Sequence, residues 1–165
     1  PSYLLDSVRV IPRLKEVYDH PVKFIVMLRD PVKRAYSQYC MVTSLDGTPE
    51  QIKHRGTEWL KTPFEDVVAT DIRNMKEDGL LPYWDDETRT VNAEAFERFA
   101  GSREEDEAWE RYLRTRVALN TGSHSPVSRG MYELNLRPWM REFPPERFLA
   151  IRLEDMAGGG GGQRA

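Results

Sequence analysis

The stretch K-F-I-V-M-L-R-D-P-V-K-R-A-Y-S-Q-Y, Lys23 to Tyr39, constrains the fold more than any other part of the chain. Phe24 to Leu28 is a run of strand formers, too short to span a membrane and bounded by charge, which predicts a buried strand of a parallel sheet. Asp30 has the side chain of an N-cap, and Pro31 follows at the first helical position, where a missing N–H costs nothing. A helix therefore begins at Pro31. Val32, Tyr36, Tyr39, Cys40 and Thr43 recur at helical spacing and are expected to face the core, with Arg34, Ser37 and Gln38 off that stripe. Arg29 at the strand end and Ser37 in the second helical turn flank a helix N-terminus, whose free N–H groups and positive dipole end attract an anion. Arg29 would add a forked, charged donor and Ser37 a hydroxyl. The plainer alternative is that Arg29 pairs with a carboxylate and Ser37 is a surface residue.

The string R-D-P-V-K-R-A-Y-S-Q-Y behind a hydrophobic strand resembles the 3′-phosphate-binding motif of sulfotransferases that use 3′-phosphoadenosine 5′-phosphosulfate. It is most similar to the glycan branch, which includes the heparan sulfate N- and 3-O-sulfotransferases. Three further phrases agree in order: P-S-Y-L at Pro1 to Leu4, S-R-G-M-Y at Ser128 to Tyr132, and W-M-R-E-F-P-P-E-R-F-L-A-I-R-L-E-D-M at Trp139 to Met156. The resemblance implies a P-loop-NTPase-like α/β fold, a parallel sheet flanked by helices, and a sulfuryl donor whose 3′-phosphate is held by Arg29 and Ser37. It implies a carbohydrate or other small acceptor, with Arg129 and Tyr132 near the cleft, and a Golgi-lumenal location if the source is eukaryotic. Family members carry a 5′-phosphosulfate loop and a catalytic glutamate ahead of the P-S-Y phrase. Both, with a further strand, are expected before Pro1, so residues 1–156 are read as a partial domain without its catalytic base. The 165-residue chain by itself is then expected to be inactive.

Composition narrows the alternatives. A length of 165 residues with 39% hydrophobic content suits one domain with a modest core. Twenty-four basic against 27 acidic residues give a formal charge of −3, so no basic field argues for a nucleic-acid partner and any anion site is local. Three scattered His and one Cys offer no metal constellation and no internal disulfide, and Cys40 reads as a buried structural thiol. There is no membrane-spanning run, Walker A loop, Rossmann fingerprint or nucleophile elbow. A non-catalytic nucleotide- or glycan-binding module of the same fold, or a helical interaction domain, remain the competing readings.

Along the chain, Val10 to Tyr18 reads as a helix with Pro12 in its first turn, and Leu45 to Gly56 as a loop. Thr62 caps a helix from Pro63, and Gly79 to Thr90 is a loop whose Tyr83 and Trp84 either stack on sugar or plug a gap. Ala93 to Phe99 and Glu104 to Leu119 read as helices; Arg111, Arg114 and Arg116 on the second suit a solvated surface or an anionic glycan. Asn120 to Ser128 is a loop in which His124 reads as solvated, with Ser128 capping a helix from Arg129. Pro138 should kink or restart that helix. Arg147 to Leu153 returns as a strand with Phe148, Leu149 and Ile151 buried, parallel to Phe24 to Leu28. Residues 157–165 form a glycine-rich tail expected to be unstructured.

Overall fold

The computed structural model describes residues 4–117 and 122–157; the expectations for residues 1–3 of the P-S-Y-L phrase and for residues 158–165 of the glycine tail lie outside them, while Ala157, expected in that tail, ends a short helix. Helix α1 (Ser7–Val17) leads into strand β1 (Phe24–Leu28) and helix α2 (Pro31–Thr43). Helices α3 (Pro49–Arg55) and α4 (Phe64–Glu77) follow, then a hairpin of β2 (Trp84–Asp85) and β3 (Thr90–Val91). Helices α5 (Ala93–Phe99), α6 (Arg103–Thr115) and α7 (Tyr132–Glu142) precede strand β4 (Phe148–Arg152) and the short α8 (Leu153–Ala157). The fold is mixed α/β, with a parallel sheet flanked by helices.

Strands β1 and β4 pair in parallel, with Phe24 opposite Phe148 and Leu28 opposite Arg152. Helices α1 and α7 cover one face: Ile11, Trp139 and Phe143 pack against Phe24 and Phe148, whose rings stack at 4.8 Å. The other face differs from the expectation of burial on both sides, since Ile25, Met27 and Leu149 are all exposed. The strand alternates because its described helical cover lies on one side only. A second core joins Met75, Leu80 and Tyr83 to Phe99, Trp109, Tyr112 and Leu134, and a third gathers Val42, Trp59 and Val67.

Several local expectations are corrected. Pro12 lies inside α1, which begins at Ser7. The Leu45–Gly56 loop contains α3, nucleated by a capping box in which Thr48 and Gln51 satisfy each other's backbone N–H. Helix α4 starts one residue later than expected, with Pro63 at the N-cap and no side-chain cap. Helix α7 starts at Tyr132, after a 3-10 turn at Ser128–Gly130, and runs through Pro138 without restarting. Tyr83 is a core plug, whereas Trp84 donates its indole N–H to Asp86 at 3.0 Å. Arg111 binds the Asp78 carbonyl and Arg116 pairs with Glu77 and Asp78, so these two serve the fold.

Helix α2 shows the largest difference. Its buried residues are Ala35, Gln38 and Val42, while Val32, Tyr36 and Cys40 of the expected stripe are exposed. The helix is turned by polar contacts: Gln38 donates to the carbonyls of Gly122 and His124, both at 2.8 Å, and Arg34 donates to that of Pro126. Buried loop carbonyls need donors, and α2 supplies them from the face that periodicity assigned to solvent. Among the described residues no helix is long and apolar enough to cross a membrane.

Candidate functional site

Strand β1 delivers Arg29 to the carboxyl edge of the sheet, where ligands of open α/β sheets bind. Asp30 then turns the chain into α2, its carboxylate accepting the Lys33 N–H at 2.8 Å. Arg29 is half-buried and Ser37 exposed, and neither belongs to an apolar core. The Arg29 guanidinium and the Ser37 hydroxyl have no hydrogen-bond or ion-pair partner among the described residues. The carboxylate partner that the plainer reading of Arg29 required is absent from these residues. A forked cation just before a 13-residue helix and a hydroxyl in its second turn are thus available.

Two distant segments brace this turn. At Gly130 a Cβ would come within 3.0 Å of the Pro31 Cβ, so any larger residue there would press the S-R-G-M-Y phrase against the helix start. Two residues on, the Tyr132 hydroxyl donates to the Arg29 carbonyl at 2.9 Å. From α8, Glu154 accepts the Asp30 N–H at 2.9 Å, and that bond holds its carboxyl below the usual carboxylate range.

The chain matches the model of the sulfotransferase domain over residues 7–158. It belongs to the sulfotransferase domain family. No curated protein and no solved structure gives a significant match.

The remaining sequence-predicted residue of this sulfotransferase domain, Arg129, sits in a buried polar network behind the turn. Its Nη2 lies 2.7 Å from the Nε2 of His124. His124 is only 6% exposed, which corrects its reading as a solvated loop residue. The imidazole Nδ1 is 3.0 Å from Ser125 Oγ, which fits a neutral ring with Nδ1 protonated and Nε2 accepting from the guanidinium. Burial, then the charge of Arg129, push His124 down to about 4. Arg129 is itself pushed down to about 10 by burial and then by the neighbouring Arg34. The Nε atoms of Arg34 and Arg129 are buried without a partner among the described residues.

Asp71 anchors the far side of this network. It accepts the Tyr112 hydroxyl and the backbone N–H groups of Val127, at 2.8 Å, and Ser128, at 3.3 Å. Ser128 is fully buried against Tyr112 and caps no helix, contrary to expectation. Ser125 takes a left-handed backbone, φ 55°, at the point where the loop enters the network. Sequence reading missed Asp71, although a carboxylate between Val67 and Met75 in an i, i+4 row of buried positions is a readable anomaly.

The buried histidine sets a pH dependence. The unfolded imidazole takes up a proton near pH 6.5, whereas the folded ring resists until about pH 4. Between these values the unfolded chain binds the extra proton, so this contribution to stability is full above pH 6.5 and is lost as pH falls towards 4. The loss is on the order of 2 kcal/mol once solvent relaxation is allowed for. Asp71, whose carboxyl is raised by burial, acts in the opposite sense, so the readout is a comparison. Urea midpoints measured from pH 7 to pH 5 should fall more steeply for the wild type than for His124→Gln. Parallel slopes would assign the dependence to another group.

Proposed function

We propose that this sulfotransferase transfers a sulfuryl group from 3′-phosphoadenosine 5′-phosphosulfate to a hydroxyl or amine of a carbohydrate acceptor of the glycosaminoglycan kind. Arg29 and Ser37 hold the donor by its 3′-phosphate. The observation that supports this reading is a guanidinium just before α2 and a hydroxyl in its second turn, both without a partner among the described residues. Their eight-position spacing is that of the motif this chain resembles. A phosphate dianion there would meet a forked charge, a hydroxyl and the positive end of a helix dipole.

In the reaction the acceptor oxygen or nitrogen attacks sulfur, the bond from sulfur to the bridging phosphate oxygen breaks, and the acceptor proton is released. The nucleotide leaves as adenosine 3′,5′-bisphosphate. Transfers of this type need positioning more than covalent help, so an anchor remote from sulfur supplies register. No residue of this chain is assigned as the proton acceptor. Arg129 and Tyr132 are proposed for the acceptor side of the cleft. Because the Tyr132 hydroxyl already donates to the Arg29 carbonyl, any acceptor contact would use its oxygen lone pair or ring edge.

Titration calorimetry with adenosine 3′,5′-bisphosphate and with adenosine 5′-monophosphate tests the reading. The first should bind at least about tenfold more tightly, the effect of one charge-assisted contact set. Equal affinity for the two would remove the 3′-phosphate pocket from the argument. In the full-length protein, labelled sulfate should pass from the donor to a desulfated glycosaminoglycan.

A further inference from the structure

The two side-chain contacts at the β1–α2 turn fall on one peptide unit. The Tyr132 hydroxyl donates to the carbonyl of Arg29 and the Glu154 carboxylate accepts the N–H of Asp30, each at 2.9 Å. That carbonyl and that N–H are the two ends of the single amide joining Arg29 to Asp30, and an amide is planar. Gripping both ends fixes the rotation of the plane about its flanking Cα atoms. We infer that Tyr132 and Glu154 form a clamp on the Arg29–Asp30 peptide that sets the aim of the Arg29 side chain, making both of them positioning residues for the anion pocket.

The inference rests on the proposed 3′-phosphate reading of Arg29 and adds what holds the arginine in register. Among the described residues neither end of the amide has another hydrogen-bond partner. Arg29 is the residue after β1 ends at Leu28, and Asp30 precedes Pro31, so the amide lies between strand ladder and helix and is held by neither. The clamping groups come from places that are otherwise unrelated. Tyr132 is the first residue of α7, and Glu154 is the second of α8, directly beyond β4. Since β4 is the strand paired with β1, Glu154 sits where the register places it, with Leu28 opposite Arg152 two residues earlier. The Tyr132 end is set by Gly130, whose missing side chain lets the preceding turn close on Pro31. A carboxylate beside an anion pocket would ordinarily repel the ligand. Here its charge is directed at an N–H and lies near Lys33 and Arg152, the two cations whose fields help keep it ionised.

A clamp differs from ordinary packing in three measurable ways. It needs an acceptor at 154 and a donor at 132, its two halves act on one object, and it matters only for ligands that Arg29 touches. In the full-length protein, Tyr132→Phe and Glu154→Ala should each weaken adenosine 3′,5′-bisphosphate by about five- to tenfold, the size of one hydrogen bond, while leaving adenosine 5′-monophosphate unchanged. Glu154→Gln, which keeps an acceptor oxygen, should restore most of the loss. The double variant should lose clearly less than the product of the single losses, since an amide freed at one end is already free to turn. Additive losses, equal losses for both nucleotides, or failure of Glu154→Gln to rescue would each overturn the clamp. Arg29→Ala is run alongside. If that variant binds both nucleotides as the wild type does, it is the 3′-phosphate reading that fails, whereas a loss in Arg29→Ala without loss in the clamp variants refutes the clamp alone. Thermal midpoints within a degree or two of wild type show that affinity and not folding is being read.

Discussion

Arg29→Ala should lower the affinity for adenosine 3′,5′-bisphosphate by roughly thirty- to a hundredfold, about 2–3 kcal/mol, with its thermal midpoint unchanged. The separation of the two effects follows from the structure. A guanidinium with no partner among the described residues contributes little to the fold, so its removal leaves no buried group orphaned. Arg29→Lys should fall between, because it keeps the charge and loses the planar fork. Ser37→Ala should cost less, about 1 kcal/mol, as a neutral hydroxyl does. The arginine's share should also shrink as salt is raised. Calorimetry at two ionic strengths measures all of this, and an Arg29→Ala protein that binds like the wild type would contradict the assignment.

Asp71→Ala should destabilise the protein by about 3–5 kcal/mol, a large share of the roughly 5–15 kcal/mol that holds a domain folded. The side chain is buried, with Asp71 5% exposed, and receives a hydroxyl and two backbone N–H groups; its removal leaves the N–H groups of Val127 and Ser128 without an acceptor, while the Tyr112 hydroxyl keeps Ser125 and Ser128. Asp71→Asn should be little better, since an amide that presents an oxygen to one donor turns its own N–H groups towards the others. Urea denaturation with an unchanged slope would report the loss directly. A loss below about 1 kcal/mol would mean that water replaces the carboxylate in that network.

The central element was legible because its signals are local. An apolar run closed by Arg29-Asp30-Pro31 carries both the strand end and the helix start, and the structure places β1 at Phe24–Leu28 and α2 from Pro31 as read. The second strand followed from its apolar run and from the helices between, which force a parallel return. Which face of α2 would be buried was not legible. Periodicity ranks side chains by hydrophobicity, but Gln38 is buried because it answers carbonyls more than eighty positions away, a partner no local window contains. His124 and Ser128 were misread for the same reason, their surroundings being built by Arg129, Tyr112 and Asp71 from other elements. The Thr48–Gln51 capping box was in plain view, and α3 was missed because its seven residues carry no apolar stripe.

The pairing of β1 with β4 has a kinetic side. Phe24 and Phe148 stand nearly at opposite ends of the described chain, yet they are direct register partners. Every contact between the two strands closes a loop that contains helices α2 to α7, so the first of those bonds carries the entropy of closing whatever part of that loop is still unfolded. The hairpin and the helices α4 to α6 join over much shorter separations and can assemble beforehand. The Arg29–Asp30 turn, stitched to residues that arrive only with α7 and α8, is therefore among the last parts of the molecule to take shape and among the first to be lost when it opens.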